Sequence, residues 1–247
     1  VCVADGVYMD TSLIIRDFER IESLPGFDEG HFVVQDESSM LPVLISGIRP
    51  GDTVLDVCAS PGGKTFHAAD LLKGGGTVLA RDVSQKKLRR LRENAKRLRA
   101  EHVTIEQWDA VDIDAEWSGR ADVVLADVPC SGIGVIGRKP EIRYHAMEHA
   151  RELAQLQKKI AAGAAAALRP GGTLVYSTCT IHPRENEEVA DWIENHLPLK
   201  RVSLDEYLPE ALKNGMTARG MIQILPGIQS CDGFFAAKFI KDKDAVR

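Results

Sequence analysis

The sequence predicts an α/β domain with a mostly parallel central sheet and helices on both faces. Three observations lead to that prediction. From residue 53 onward, short β-branched runs alternate with amphipathic helical stretches. Glycine and proline punctuate the joints between them. Acids and thiols recur just past the ends of the strand-like runs, where open α/β sheets place their ligands.

Residues 1–50 read as irregular, with turn signals at Pro25-Gly26 and Pro50-Gly51. Thr53 to Val57 is the first predicted strand and Lys64 to Lys73 the first helix. Thr77 to Ala80 is the second strand, and Ser84 caps a helix running to Arg99. On that helix Leu88, Leu91, Ala95 and Leu98 share one face. Val103 to Gln107 and Asp122 to Ala126 are the third and fourth strands. A long helix is expected from about Glu148 to Leu168, with Leu153, Leu156, Ile160 and Ala164 on its apolar stripe. Pro170-Gly171-Gly172 ends it, and Thr173 to Tyr176 is the fifth strand. Pro183 suits the first turn of a helix continuing to His196. Ile222 to Leu225 and Phe234 to Ile240 are two late strands.

The chain of 247 residues holds one large domain, and its 44% apolar and 27% charged residues are ordinary for a globular protein. The longest mostly apolar stretch, Ile160 to Leu168, is far short of the roughly 20 residues a membrane span requires. Five scattered cysteines with no CxxC spacing predict neither a disulfide framework nor a metal site. Reduced thiols and a cytoplasmic location are the expectation. A formal net charge of −5 speaks mildly against a nucleic-acid protein. Its distribution is uneven: Lys86, Lys87, Arg89, Arg90, Arg92, Lys96 and Arg97 crowd one segment against Asp82 and Glu93. A solvated helix face accounts for such a run by default. Arg138, Lys139 and Arg143 form a second, smaller cluster.

Gly62-Gly63 lies between the first strand and its helix, where the backbone must pass close to a ligand without a Cβ in the way. Gly63-Lys64-Thr65 invites a phosphate-loop reading, but that motif needs glycine at position 58, which is Cys58. The dinucleotide fingerprint GxGxxG is also absent. Asp82 after the second strand is placed to accept from ribose hydroxyls, and Asp109 after the third from an adenine amino group. An adenosine-containing cofactor without a diphosphate fits this set, which favours S-adenosylmethionine over NAD.

Cys130 and Cys179 follow the fourth and fifth strands, with Asp127 close to the first of them. A free cysteine is most often a small buried hydrophobe. Two at the functional rim beside a carboxylate point instead to thiol chemistry.

The ordered segments DVCASPGGKT (56–65), ADVPCSGIGVIGRKPEIRY (126–144), STCTIHPRENEEV (177–189) and DGFFAAKF (232–239) resemble the signature of the Sun (Fmu) family of RNA cytosine-5 methyltransferases. Gln35-Asp36-Glu37-Ser38-Ser39 and Leu225-Pro226-Gly227 match it too, so the resemblance covers roughly residues 24 to 241. ELAQLQ (152–157) is most similar to the branch that modifies bacterial small-subunit ribosomal RNA. The resemblance implies a Rossmann-like S-adenosylmethionine-dependent methyltransferase fold with a late antiparallel strand. It implies Cys58, Ala59, Ser60, Pro61, Gly62, Gly63 and Lys64 as the cofactor segment, completed by Asp82, Asp109 and Asp127. It implies Cys179 as nucleophile and Cys130 as the thiol that assists release. Ser60 stands where the family has alanine and Thr180 where it has serine; neither change touches the chemistry.

The expected division is an extension at residues 1–40 and the methyltransferase domain at 41–247. An RNA-binding, NusB-like domain is expected upstream of a chain that begins at Val1. The expected partner is RNA, small-subunit ribosomal RNA first, with no membrane and no metal, and a monomer is expected. Arg138, Lys139 and Arg143 are the candidate phosphate contacts. Two other readings stay open. Pro129-Cys130 resembles the nucleophile motif of DNA cytosine methyltransferases, and a binding or assembly factor could retain the fold without catalysis.

Overall fold

The computed structural model describes residues 1–144 and 149–244. Its elements are β1 (Cys2–Asp5), β2 (Leu13–Arg16), α1 (Glu37–Ser46), β3 (Thr53–Asp56), α2 (Gly63–Leu72), β4 (Thr77–Asp82), α3 (Gln85–Arg97) and β5 (Val103–Gln107). There follow β6 (Ala121–Asp127), α4 (Ala150–Ala167), β7 (Leu168–Thr178), α5 (Glu187–His196), β8 (Leu199–Arg201), β9 (Met221–Ile224) and β10 (Phe234–Lys241). The main sheet runs β5-β4-β3-β6-β7-β10-β8, with β9 also paired to β10. The five strands from β5 to β7 are parallel, and β10 is antiparallel to all its neighbours.

Strand periodicity sorts the core into two layers. Leu55, Val124, Ala126, Leu174, Tyr176, Phe235 and Ala237 face Ile160, Ala164, Val189 and Ile193 of α4 and α5. Their neighbours Val54, Val123, Leu125, Val175 and Ala236 face Leu41, Ile45, Ala68 and Leu72 of α1 and α2. The doubly covered parallel sheet is therefore present as the alternation predicts. Its chain order reverses between β3 and β6, which opens a crevice beyond their carboxyl ends.

Four readings need correction. Residues 1–50 are not irregular: β1 and β2 form an antiparallel hairpin, and α1 runs across the boundary expected between 40 and 41. Asp36 caps α1, its side chain accepting from the Ser38 N–H, and Gly47 ends it at φ 75°. The cap signals were in the sequence, but Pro42 inside the helix broke the pattern. The hairpin is mostly exposed, so no apolar face advertised it. It is tied down by Glu37, which accepts from Val7 N, Tyr8 N, Met9 N and Ser12 Oγ. Burial raises that carboxyl, but these hydrogen bonds outweigh it and hold the pKa below the usual value.

The buried stripe of α4 is Ala150, Ala154, Gln157, Ile160 and Ala164, so Leu153 and Leu156 sit at its margin. A polar residue lies on the inward face because its hydrogen bonds are satisfied there. The predicted start of this helix, Glu148, lies outside the described residues. Pro170-Gly171-Gly172 does not separate helix from strand. It forms a bulge within β7, where Ala121 pairs with Leu168 and Val123 already pairs with Thr173. The short strand β8 went unread, having three residues and little pattern.

Candidate active site

A cleft of about 630 Å3 opens along the carboxyl ends of β3 and β6. Cys58, Ala59, Ser60, Pro61, Gly63, Lys64, Asp127 and Cys179 line it, so the crevice gathers most of the predicted site. The N-terminal segment contributes Val33, Val34, Gln35 and Asp36, and the last strand contributes Phe234.

The loop after β3 is held mainly through its backbone. Ala59 N donates to Arg81 O (2.9 Å), Asn94 Nδ2 to Pro61 O (3.1 Å) and Ser60 Oγ to Lys87 O (3.1 Å). Gly62 precedes α2 as its N-cap at φ 113°, and a Cβ there would stand 2.3 Å from Phe66 and 2.7 Å from Leu91. Only glycine fits that conformation and that space. Cys58 stands half-buried in the cleft wall near Asp56, Asp127 and Asp82, and loss of solvent above all pushes its thiol far above the usual range. It stays protonated, a wall residue rather than a nucleophile.

Sequence reasoning missed Asp56. It ends β3, fully buried, accepting from Thr65 Oγ1 (2.7 Å) and Cys58 N (3.3 Å). Burial raises its pKa to about 6, with Asp127 adding to the rise while Thr65 and Lys64 oppose it. An acid as last residue of a first parallel strand was the available signal.

Asp127 ends β6. Its Oδ2 lies 2.7 Å from Lys64 Nζ and its Oδ1 accepts from Ser177 Oγ at 2.9 Å. Lys64 Nζ also stands 5.2 Å from the Phe234 ring centroid. Beside this pair the Sγ atoms of Cys130 and Cys179 are 3.2 Å apart. The hydrogen bond from Cys130 lowers the Cys179 pKa below that of a free thiol, and Lys64 helps, against opposition from burial and Asp127. Cys130, bonded to Cys179 and buried, is pushed well above the usual range. The two thiols therefore lie in unlike environments, the Cys179 pKa drawn down and the Cys130 pKa pushed up.

Buried polar groups missed by the sequence reading surround these sulfurs. Gln157, Glu185, Asn186 and Tyr176 are all fully or almost fully buried. Gly134 completes the packing: a Cβ there would meet Gly233 O at 2.1 Å and Cys179 O at 2.7 Å. Gly134 N donates to Cys179 O and Gly233 N to Gly134 O, which joins three loops by backbone alone.

Asp82 and Asp109 do not line the cleft. Asp82 accepts from Ser84 N with Lys87 Nζ 3.8 Å away, and Asp109 is exposed, accepting from Val111 N. Asp82 ends β4 and Asp109 follows β5, so 109, 82, 58 and 127 lie in that order along the rim. Arg138 lines the cleft mouth, ion-paired to Asp36 (3.2 Å) and to Asp232. Lys139 is exposed, and the Arg143 side chain lies outside the described residues. Among the described residues no helix is long and apolar enough to cross a membrane.

The family described as 16S rRNA methyltransferase RsmB/F matches residues 43–240. The "Probable ribosomal RNA small subunit methyltransferase B" of Bacillus subtilis (strain 168) is 38% identical over 219 residues, 87% of this chain and 49% of that protein. The ribosomal RNA small subunit methyltransferase F of Citrobacter koseri is 36% identical over 92% of this chain and 49% of its own length. The chain therefore spans about half the length of the curated relatives it matches. The crystal structure of NSun6 from Pyrococcus horikoshii with SFG superposes with a TM-score of 0.80 at 31% identity, covering 92% of this chain and 57% of that one.

Proposed function

The chain belongs to the 16S rRNA methyltransferase RsmB/F family, and from that premise we propose that it methylates carbon 5 of a cytosine in small-subunit ribosomal RNA, with Cys179 as nucleophile. The observation that carries this reading is the pair of thiols 3.2 Å apart beside Asp127 and Lys64.

The cleft suits S-adenosylmethionine. Its volume of about 630 Å3 is ample for an adenosine-sized ligand, and the carboxylates of Asp56 and Asp127 in its wall suit a sulfonium cation. The structure of NSun6 with SFG, an analogue of that cofactor, supports the choice. Residues 58–64 would hold the cofactor, with its adenosine reaching out of the cleft along the rim toward Asp82 for the ribose and Asp109 for the adenine.

Carbon 5 of cytosine is a poor nucleophile unaided. Addition of Cys179 Sγ to carbon 6 turns the ring into an enamine, and carbon 5 then gains the electron density to accept a methyl group. The bound cofactor supplies that methyl as an electrophile. Lys64 and Asp127 stand beside the sulfurs, where they would hydrogen-bond the polar edge of the ring and stabilise charge developing on it. A base then takes the proton from carbon 5, the carbon 6–sulfur bond breaks, and Cys179 leaves as thiolate. Cys130 assists this last stage. The base must be unstacked to meet the thiol, so single-stranded or splayed RNA is the substrate form. Lys139 and Arg143 are the proposed phosphate contacts. Arg138 joins them by exchanging its carboxylate partners for phosphate.

A denaturing gel tests the reaction. Cys130→Ala, incubated with unmodified small-subunit ribosomal RNA and S-adenosylmethionine, should yield a slow-migrating protein–RNA adduct that disappears when Cys179 is also changed to Ala. No adduct from a variant that still methylates cytosine would overturn the assignment of the two thiols. Absence of both adduct and methylated cytosine with the wild-type chain would overturn the reaction.

A further inference from the structure

Each reactive cysteine is flanked by residues that are gripped from below, and different side chains do the gripping. Around Cys130, Gln157 Nε2 donates to Pro129 O (2.9 Å) and Ser131 N donates to Glu185 Oε2 (2.9 Å). Gln157 Nε2 also donates to Glu185 Oε2 (3.0 Å), which links the two grips. Around Cys179, Thr178 Oγ1 donates to Asn186 Oδ1 (2.6 Å) and Asn186 Nδ2 donates to Thr180 O (2.9 Å). Asn186 is itself braced by Gln223 Oε1 at 2.8 Å.

We propose that the adjacent residues Glu185 and Asn186 are positioning residues with separate duties: Glu185, with Gln157, sets the release thiol Cys130, and Asn186 sets the nucleophile Cys179. Neither touches a sulfur. Asn186 holds the residues on both sides of Cys179, while Glu185 holds Ser131 and Gln157 holds Pro129 on the two sides of Cys130, which fixes the backbone and so the direction of each thiol.

Glu185 supports a role beyond packing. It is fully buried, and its Oε1 has no hydrogen-bond partner among the described residues. Leaving a buried carboxylate oxygen unsatisfied is destabilising, and a well-packed neutral side chain would serve stability better. Tyr176 adds to the same frame, its hydroxyl donating to Glu185 O (2.5 Å) and lying 3.1 Å from Gln157 Oε1. The two grips meet at one further point, where the hydroxyls of Ser131 and Thr180 are 2.8 Å apart. That contact ties the residue after Cys130 to the residue after Cys179 and keeps both loops in register.

This assignment rests on the reaction proposed above, and it predicts opposite defects from neighbouring substitutions. Glu185→Ala, with Cys130 intact, should accumulate the protein–RNA adduct, because addition proceeds and release fails. Asn186→Ala should do the reverse: in a Cys130→Ala background it should form adduct at least about 10-fold more slowly, the scale of a small misplacement of a reacting atom. The assay is the denaturing gel with unmodified small-subunit ribosomal RNA and S-adenosylmethionine, normalised to protein that binds the cofactor in calorimetry. Should Glu185→Ala fail to fold, Gln157→Leu makes the same test from the other side of Cys130. Clean turnover without adduct in Glu185→Ala or Gln157→Leu, or the same defect in Glu185→Ala and Asn186→Ala, would overturn the assignment. Absence of adduct from Cys130→Ala that still methylates cytosine would overturn the roles of the two thiols and this assignment with them, and absence of methylated cytosine with the wild-type chain would overturn the reaction itself.

Discussion

The two ends of the cleft are built by different means. The cofactor end, residues 58–64, is one contiguous loop anchored at its own main-chain atoms Ala59 N and Pro61 O and turning on a glycine that nothing else can replace. The thiol end joins residues 129–131, 157, 176–186 and 223 largely through buried side-chain hydrogen bonds, with Gly134 and Gly233 tied in by backbone. A loop held by its backbone tolerates many side chains and fails at a single glycine. A rim held by side chains should fail at several separated positions, each with its own defect. That difference can be broken or sharpened by experiment.

The largest effect belongs to the nucleophile. Cys179→Ala should reduce methyl transfer by at least about 10^4-fold, as removal of a covalent catalyst does elsewhere. Cofactor affinity should be unchanged, since the loop after β3 makes no use of that sulfur. Calorimetry and incorporation of labelled methyl would check both halves. A matching loss of cofactor affinity would mean that the two ends are not separable.

A pair of glycine substitutions puts the comparison more sharply. Gly134→Ala would drive a methyl into Gly233 O and Cys179 O, so the thiol loop must shift. A loss of about 100-fold in turnover is expected, with cofactor affinity retained. Gly62→Ala would drive a methyl into Phe66 and Leu91 from a backbone with positive φ. Here cofactor affinity should fall, and the melting temperature should drop by several degrees, overpacking costing about 1–3 kcal/mol. Loss of cofactor affinity in Gly134→Ala would break the division.

The contrast also explains what the sequence disclosed. Cys58 to Lys64 and Asp127 were legible because a strand end, a glycine turn and the next helix follow one another in the chain. Cys130 and Cys179 were legible from their places after consecutive strands. Gln157 was invisible, because a glutamine in an amphipathic helix reads as its solvent face. Glu185 and Asn186 fall at the polar start of the helix expected after Pro183, and only the fold brings Glu185 to Ser131 and Asn186 to Thr178 and Thr180. Arg138 shows the limit from the other side. Read as a cation awaiting phosphate, it is paired with Asp36 and Asp232, which lie far away in the chain.

A smaller effect concerns pH. The hydrogen bond from Cys130 is the main cause of the lowered Cys179 pKa. Cys130→Ser keeps a donor and Cys130→Ala does not, so both can be followed by the rate of adduct formation. That rate should rise with pH as the thiolate forms, with its inflection at higher pH in Cys130→Ala than in Cys130→Ser. Coincident profiles would show that the neighbouring thiol leaves the nucleophile unchanged.

The smallest effect tests whether the cofactor end is as free of buried side-chain chemistry as the contrast implies. Asp56, beneath the loop, has its pKa raised to about 6 by burial, against 3.8 for an ordinary aspartate. Between those values the folded chain binds more protons than the unfolded one, so this group costs stability as pH rises from about 4 to 6 and continues to do so above. His67 on α2 works oppositely: burial first, and Lys64 second, lower its pKa to about 4, so it costs stability as pH falls from 6.5 toward 4. Asp56→Asn should therefore raise the melting temperature at pH 8, by a share of the roughly 1–3 kcal/mol such a displacement represents. The gain should vanish near pH 4, where the native aspartate is already protonated and only the histidine penalty remains. Thermal melts of both proteins at pH 8 and pH 4 decide it. An equal difference at the two pH values would show that Asp56 does not titrate in this range, and that the backbone description of the cofactor end is sufficient.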